Sequence, residues 1–236
     1  GDKRVLVALS GGCDSSVVAY LLRRALEEGA PNRLRGVYIK GIDRPEDEAF
    51  VRRHFGSQTW IDLKVVDATV PMLDALRDKY SMVEKREAMR IVYAKILSRE
   101  AQEFKADFLA QGTLYTDISE SGGGHATGAR KAKIKQHHNV GLDFGVPELT
   151  PLADCVKDGV REIGRALGVP EELLTRHPFP GPGLLVRIEG MVCGRNLAVA
   201  RQADGIWIEE PRRAGLYDKV WQAGATVLKS LASVTK

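Results

Sequence analysis

The strongest constraint in this chain of 236 residues is a short apolar run, Val5 to Leu9, that stops at Ser10-Gly11-Gly12-Cys13-Asp14-Ser15-Ser16. Apolar residues at Val17, Val18, Leu21, Leu22, Ala25 and Leu26 follow at helical spacing. A run of this length suits a buried strand, so the segment reads as strand, tight glycine turn, helix. Gly11 and Gly12 let the backbone approach a ligand closely. Asp14, Ser15 and Ser16 stand where a helix begins with unpaired N–H groups, which makes an anion site. Phosphate is the expected anion.

The two commonest nucleotide fingerprints are missing. No G-x-x-x-x-G-K-[ST] and no G-x-G-x-x-G occurs in the chain. With 28% charged and 44% hydrophobic residues, the composition is that of a globular protein long enough for a sizeable core. A formal net charge of +4, without a dense basic block outside Arg130–Lys135, points to phosphorylated small molecules rather than nucleic acid. Cys13, Cys155 and Cys193 are widely spaced, so neither a disulfide framework nor a cysteine metal site is expected. No apolar run is of membrane-spanning length and no signal peptide is evident, so no membrane association and a cytoplasmic location are expected.

Along the chain, the first helix is expected to end near Gly29. Leu34–Ile39 reads as a second strand, Pro45 to Gly56 as a helix, and Trp60–Val66 as a third strand. Glu84 to Phe104 has helical apolar spacing, and Asp107–Ala110 is a strand ending in Gln111-Gly112-Thr113. Strands alternating with helices imply parallel pairing through right-handed crossovers, hence an α/β, doubly wound parallel sheet with its ligands at the carboxyl ends of the strands. Residues 117–136 are glycine-rich and basic, the composition of a loop able to cover polyphosphate. His137 and His138 lack Cys or Glu neighbours at ligand spacing, so hydrogen bonding or charge stabilisation suits them better than zinc. Beyond Ile188, Asn196–Ala203 reads as helix, Ile206–Ile208 as a short strand, and Pro211 as the opening of another helix.

The S-G-G-x-D-S word resembles the pyrophosphate loop of the N-type ATP pyrophosphatases. Four longer words are similar to the ATP pyrophosphatase domain of the GMP synthetase family: Phe108 to Tyr115, Ile134 to Val140, Lys157 to Arg165 and Arg176 to Leu184. The last is the most specific, because three prolines and two glycines among six residues define an unusually rigid backbone. The resemblance runs over most of residues 4–190 and more loosely to Tyr217–Gln222.

The resemblance implies an adenine nucleotide α-hydrolase-like fold at residues 1–190, followed at 191–236 by the start of a smaller α+β dimerisation domain. It implies ATP and magnesium as cofactors, xanthosine monophosphate (XMP) and ammonia as further substrates, a glutamine amidotransferase domain or subunit as partner, and a homodimer. By position, Ser10, Gly11, Gly12, Cys13, Asp14, Ser15 and Ser16 would hold the phosphates, with Asp14 also contacting magnesium. Gln111, Gly112 and Thr113 would border the nucleotide, and Arg86 and His137 would meet the XMP. Asp14, Lys135, Asp117 and Glu120 would form the catalytic set.

The chain departs from the family pattern in two places. Lys40 stands where the family's word after the second strand is acidic, and the family's closing lysine- and proline-containing word is not seen after Leu228. Two other readings therefore stay open: a nucleotide-binding relative without catalysis, and another ATP pyrophosphatase such as an NAD synthetase or a tRNA-thiolating enzyme.

Overall fold

The structure, a computed structural model, describes residues 2–26, 32–114, 144–177, 183–220 and 222–229. Five strands form one sheet: β1 (Val5–Ala8), β2 (Leu34–Lys40), β3 (Asp62–Asp67), β4 (Phe108–Ala110) and β5 (Glu148–Leu149), in the order β3-β2-β1-β4-β5. β1 pairs parallel with β2 from Val5 opposite Leu34, and parallel with β4 from Val5 opposite Phe108; β4 pairs parallel with β5. The chain thus moves outward on one side of β1 to β3, then returns to its other side for β4 and β5. Such a reversal opens a crevice beyond the carboxyl ends of the two strands where the order turns, here β1 and β4.

The hydrophobicity of β1 explains its central place. Val5, Val7 and Leu9 join one core with Val17, Val18, Phe55, Trp60, Val160, Leu173 and Leu174. Leu6, on the opposite pleat, is as fully buried. Both faces are covered, as in sheets flanked by helices on two sides. Each fully buried aliphatic or aromatic side chain contributes roughly 1.5–3 kcal/mol. Tyr20 packs edge-on against Phe55 and Trp60, with ring centroids 6.4 and 5.1 Å away.

Among the described residues the α-helices are α1 (Cys13–Ala25), α2 (Asp47–Phe55), α3 (Thr69–Ala75), α4 (Met82–Phe104), α5 (Lys157–Ala166), α6 (Glu171–Leu174) and α7 (Gly194–Arg213). α1 stops at Ala25, short of Gly29. β3 begins at Asp62 rather than Trp60, because Trp60 and Ile61 are drawn into the core instead of the ladder. α4 starts before Glu84 because Ser81 and Glu84 form a reciprocal cap. The Ser81 main-chain N–H donates to Glu84 Oε2 at 3.0 Å, and the Glu84 N–H donates to Ser81 Oγ at 3.2 Å.

The chain divides into two compact units. One comprises residues 1–39, 49–66 and 93–176 and holds the core just described; the other comprises residues 40–48, 67–92 and 177–236. In the second unit a 3-10 turn, Gly183–Arg187, is followed by α7, and Ile188 bridges in parallel to Val227. The strand expected at Ile206–Ile208 is not formed: α7 runs unbroken through it. Leu197, Ala200, Asp204 and Ile208 form its buried stripe, and this helical spacing over about three turns overrides the strand preference of one apolar triplet. Pro211 does not open a helix but lies in the last turn of α7, where its missing N–H forfeits one hydrogen bond near a frayed end.

Candidate phosphate-binding site

In the first unit the chain leaves β1 through Leu9, whose N–H donates to Val37 O at 2.9 Å, and turns at Ser10–Gly12 into α1. Gly11 has φ +72°, and a Cβ there would stand 2.5 Å from Val51 Cγ2 and 3.2 Å from Arg176 Nη1. Only glycine meets both demands. Gly12 is the N-cap of α1 and brings no side chain to it. The first N–H groups of α1 therefore face the turn without an intrahelical acceptor, and the helix dipole adds partial positive charge there.

Two serines shape the turn. Ser15 Oγ donates to Gly12 O at 3.2 Å and accepts from Ser10 N–H at 3.2 Å, while the Ser10 and Ser15 hydroxyls lie 3.0 Å apart. Ser10 Oγ also accepts from Gly12 N–H at 3.3 Å. The turn is closed by its own residues. Ser16 is fully buried, and its N–H donates to Gly12 O at 3.1 Å as the first helical bond. It supports the turn from the core side rather than through an exposed hydroxyl. Cys13 is likewise buried, and burial pushes its thiol above the ordinary cysteine range, which disfavours the thiolate.

β4 delivers its carboxyl end to this turn. A Cβ on Gly112 would lie 3.0 Å from the carbonyl carbon and Cβ of Asp14 and from Ser15 N, so Gly112 permits the two segments to touch. Gln111, the residue before it, is buried, with its main-chain N–H bonded to Leu149 O at 2.9 Å and its side-chain Nε2 donating to Glu148 Oε1 at 3.0 Å. Its Nε2 joins β4 to β5, while its Oε1 is buried without a hydrogen-bond partner among the described residues. Thr113 is half-buried next to Gly112.

Two residues that sequence reasoning left without a role complete the turn. Lys157, the first residue of α5, places Nζ 2.6 Å from Asp14 Oδ1, with both side chains 29% exposed. Arg176 donates Nη1 to Gly11 O at 3.1 Å and stacks its guanidinium 4.3 Å above the Phe50 ring. Both lie in words that carry the family resemblance, at Lys157–Arg165 and Arg176–Leu184, and that position was the available signal. Their long separation from the loop, |i−j| of 143 and 165, is what hid the contacts.

Among the described residues no three His, Cys, Asp or Glu side chains gather as a metal-binding group. Asp14 is the one acidic residue within Ser10–Ser16. That donor set suits magnesium, which binds through one or two carboxylates together with substrate phosphates, and does not suit a cation needing a cage of protein oxygens.

Of the remaining expected site residues, Arg86 lies half-buried in the first turns of α4, in the second unit. Asp117, Glu120, Lys135 and His137 lie outside the described residues, as do residues 178–182 of the proline-rich word. Lys40, at the end of β2, is committed to Glu48 at 3.0 Å and Asp67 at 3.6 Å, and these carboxylates hold its ammonium above the ordinary lysine range.

A parallel sheet with a glycine turn at its reversal point and an uncapped helix start defines an α/β protein with an anion site at the carboxyl end of its central strand. The NAD synthase family matches residues 1–109 of the chain. The chain is 42% identical over 235 residues to "GMP synthase [glutamine-hydrolyzing]" of Thermotoga maritima, covering 97% of this chain and 45% of that protein. It is 44% identical over 236 residues to the protein of the same name from Aquifex aeolicus, covering 97% and 44%. The chain thus spans less than half the length of these relatives. Among solved structures, NMN synthetase from Francisella tularensis superposes with a TM-score of 0.52 at 17% identity, over 91% of this chain and 78% of that one, which shows a shared fold. No helix among the described residues is long and apolar enough to cross a membrane.

Proposed function

We propose that the chain is the ATP-activating part of a ligase that converts XMP to GMP. The observation that carries this reading is the Ser10–Ser16 turn: an uncapped helix start at the reversal point of the sheet, shaped for a phosphate chain and lacking a Walker lysine. The likeness to GMP synthases over 97% of the chain supplies the substrate class. In this reading the C2 oxygen of XMP attacks the α-phosphorus of ATP, and pyrophosphate leaves. Ammonia then displaces AMP at C2, leaving GMP. A glutamine amidotransferase domain or subunit supplies the ammonia, as the relatives' name suggests for those proteins.

The first N–H groups of α1 receive the β- and γ-phosphates, and Lys157 adds a cation at the same turn. Charge accumulating on the departing pyrophosphate is the main barrier, and preorganised donors lower it without reorganising. Asp14 would hold magnesium; when bound, that ion supplies further charge neutralisation at the phosphates. Lys157 keeps the Asp14 carboxylate aimed in the absence of the nucleotide. By their match to the family pattern, Arg86 and His137 are assigned to the acceptor's phosphate, Lys135 to pyrophosphate, and Asp117 and Glu120 to the reacting centre; all but Arg86 lie outside the described residues. A homodimer formed through residues 191–236 and a cytoplasmic setting complete the reading.

Lys40 favours a second reading, nucleotide binding without ligation, because a lysine neutralised by Glu48 and Asp67 replaces the family's acidic word. One assay separates the two. With ATP, magnesium, XMP and ammonium, the ligase releases pyrophosphate and forms GMP in equal amounts. ATP binding with no XMP-dependent pyrophosphate would leave only the second.

A further inference from the structure

In the first unit, the peptide that joins Gly11 to Gly12 is bonded at both ends. Its carbonyl, Gly11 O, accepts from Arg176 Nη1 at 3.1 Å, and its N–H, that of Gly12, donates to Ser10 Oγ at 3.3 Å. In a trans peptide these two groups point opposite ways, so the two bonds together fix which way the peptide plane faces. One bond comes from within the turn, the other from a residue 165 positions further along the chain.

Arg176 is itself held. Its guanidinium lies 4.3 Å from the centroid of the Phe50 ring, and that ring packs against the core and against the His54 ring, 4.6 Å away. A Cβ on Gly11 would meet Val51 Cγ2, Arg176 Nη1 and Phe50 Cδ1, so three side chains close on this one residue. All of them belong to the first unit.

A pair of glycines is the sequence in which such a peptide turns over most easily. Reversing the plane changes ψ of Gly11 and carries φ of Gly12 from its present −80° toward positive values, which only glycine adopts without strain. The reversed carbonyl would point to the side of Ser10 Oγ, at the uncapped start of α1, and its partial negative charge would oppose a phosphate there. A single neutral bond to Ser10 Oγ selects the present orientation weakly. A hydrogen bond from a charged donor is roughly twice as strong.

We infer that Arg176 is a positioning residue for phosphate binding: by holding Gly11 O it keeps the Gly11–Gly12 peptide in the orientation that leaves the turn open to an anion. This role rests on the phosphate reading of the Ser10–Ser16 turn proposed above. It makes the double glycine a two-way element whose setting is chosen from outside the turn.

Arg176→Met tests it, with inorganic pyrophosphate as the probe and equilibrium dialysis as the measurement. Arg176 is half-buried and methionine keeps the stem over Phe50, so the thermal unfolding midpoint should stay close to that of the unsubstituted protein. The substitution is made in two backgrounds, the natural one and Gly12→Ala. A Cβ at position 12 would lie 3.4 Å from Ser10 Oγ, an ordinary contact, yet it penalises the reversed peptide. With Gly12 in place, Arg176→Met should weaken pyrophosphate binding about tenfold, the worth of one hydrogen bond from a charged donor. In the Gly12→Ala background the same substitution should cost about twofold or less, because backbone strain then does the selecting. Arg176→Lys, which keeps a charged donor, should lose less than Arg176→Met in the natural background. Equal losses in the two backgrounds would assign the effect to charge alone, and no loss in either would leave Arg176 without a part; either overturns the inference while the phosphate reading stands. Failure of the unsubstituted protein to bind pyrophosphate overturns the phosphate reading instead, and the inference falls with it.

Discussion

Two turns leave the carboxyl ends of strands in this chain, and they are held in opposite ways. The Ser10–Ser16 turn after β1 closes on its own residues, Ser10, Gly12, Ser15 and Ser16 bonding among themselves, with Arg176 and Lys157 added from afar at Gly11 O and Asp14. In the Gly41–Arg44 connection after β2, Gly41 N–H donates to Asp43 Oδ1 at 3.2 Å, and the connection takes its shape from Leu184, Arg201 and Asp204. A self-closed turn presents its free N–H groups outward and keeps them fixed. A turn held from afar transmits whatever happens to the element that holds it.

The largest test of this contrast concerns chemistry. Asp14→Ala should lower XMP-dependent pyrophosphate release by about two to three orders of magnitude, the size seen when one preorganised electrostatic group is removed. The unfolding midpoint should scarcely move, because the turn closes through Ser10 and Ser15 without Asp14. Near-normal turnover would show that the turn is not the phosphate site.

For stability the order of the two turns reverses. Asp204→Ala should cost roughly 3–5 kcal/mol in urea unfolding, because it leaves Arg44 and Arg187 facing an uncompensated buried site. A loss below about 1 kcal/mol, the usual range for exposed ion pairs, would mean that the cluster does not hold the connection. Ser15→Ala at the self-closed turn should cost only about 0.5–1.5 kcal/mol, the net worth of ordinary hydrogen bonds, and a loss as large as that of Asp204→Ala would erase the contrast.

The smallest effect is one of pH. Lys85 is buried with Nζ donating to Ile188 O at 2.7 Å, another contact between distant residues, and burial holds its ammonium below the ordinary lysine value of 10.5. Its pKa is lower folded than unfolded, so between the two values the unfolded chain binds more protons and stability rises with pH. The protein should therefore gain stability relative to Lys85→Met as pH rises from the folded value toward 10.5, checked by urea unfolding of both. A gap that stays constant over that range would show that the lysine is not desolvated.

Much of the first unit was legible in the residues. β1, β2, the start of α1 and β4 followed from apolar runs bounded by glycine, and the turn between β1 and α1 from Ser10–Ser16 itself. What escaped were partners brought in by the fold: Lys157 on Asp14, Arg176 on Gly11 O, and the commitment of Gln111 to Glu148. In the second unit Ile206-Trp207-Ile208 read as a strand because three apolar residues in a row carry no period. Only the buried stripe of α7, with Asp204 fixed by two arginines, decides for helix.

By itself, then, the sequence determined the elements whose signals lie within a few residues: the alternation of strand and helix, and the glycine turn that invites phosphate. Short-range rules of backbone freedom and hydrophobic period suffice for these. Tertiary structure alone decided which charges meet, that Asp14 faces Lys157 and that Arg201 and Asp204 grip the connection after β2. The reason is physical. A side-chain ion pair or a bond to a backbone carbonyl leaves no periodic trace along the chain, and its partner is chosen only once packing has brought distant segments within about 3 Å.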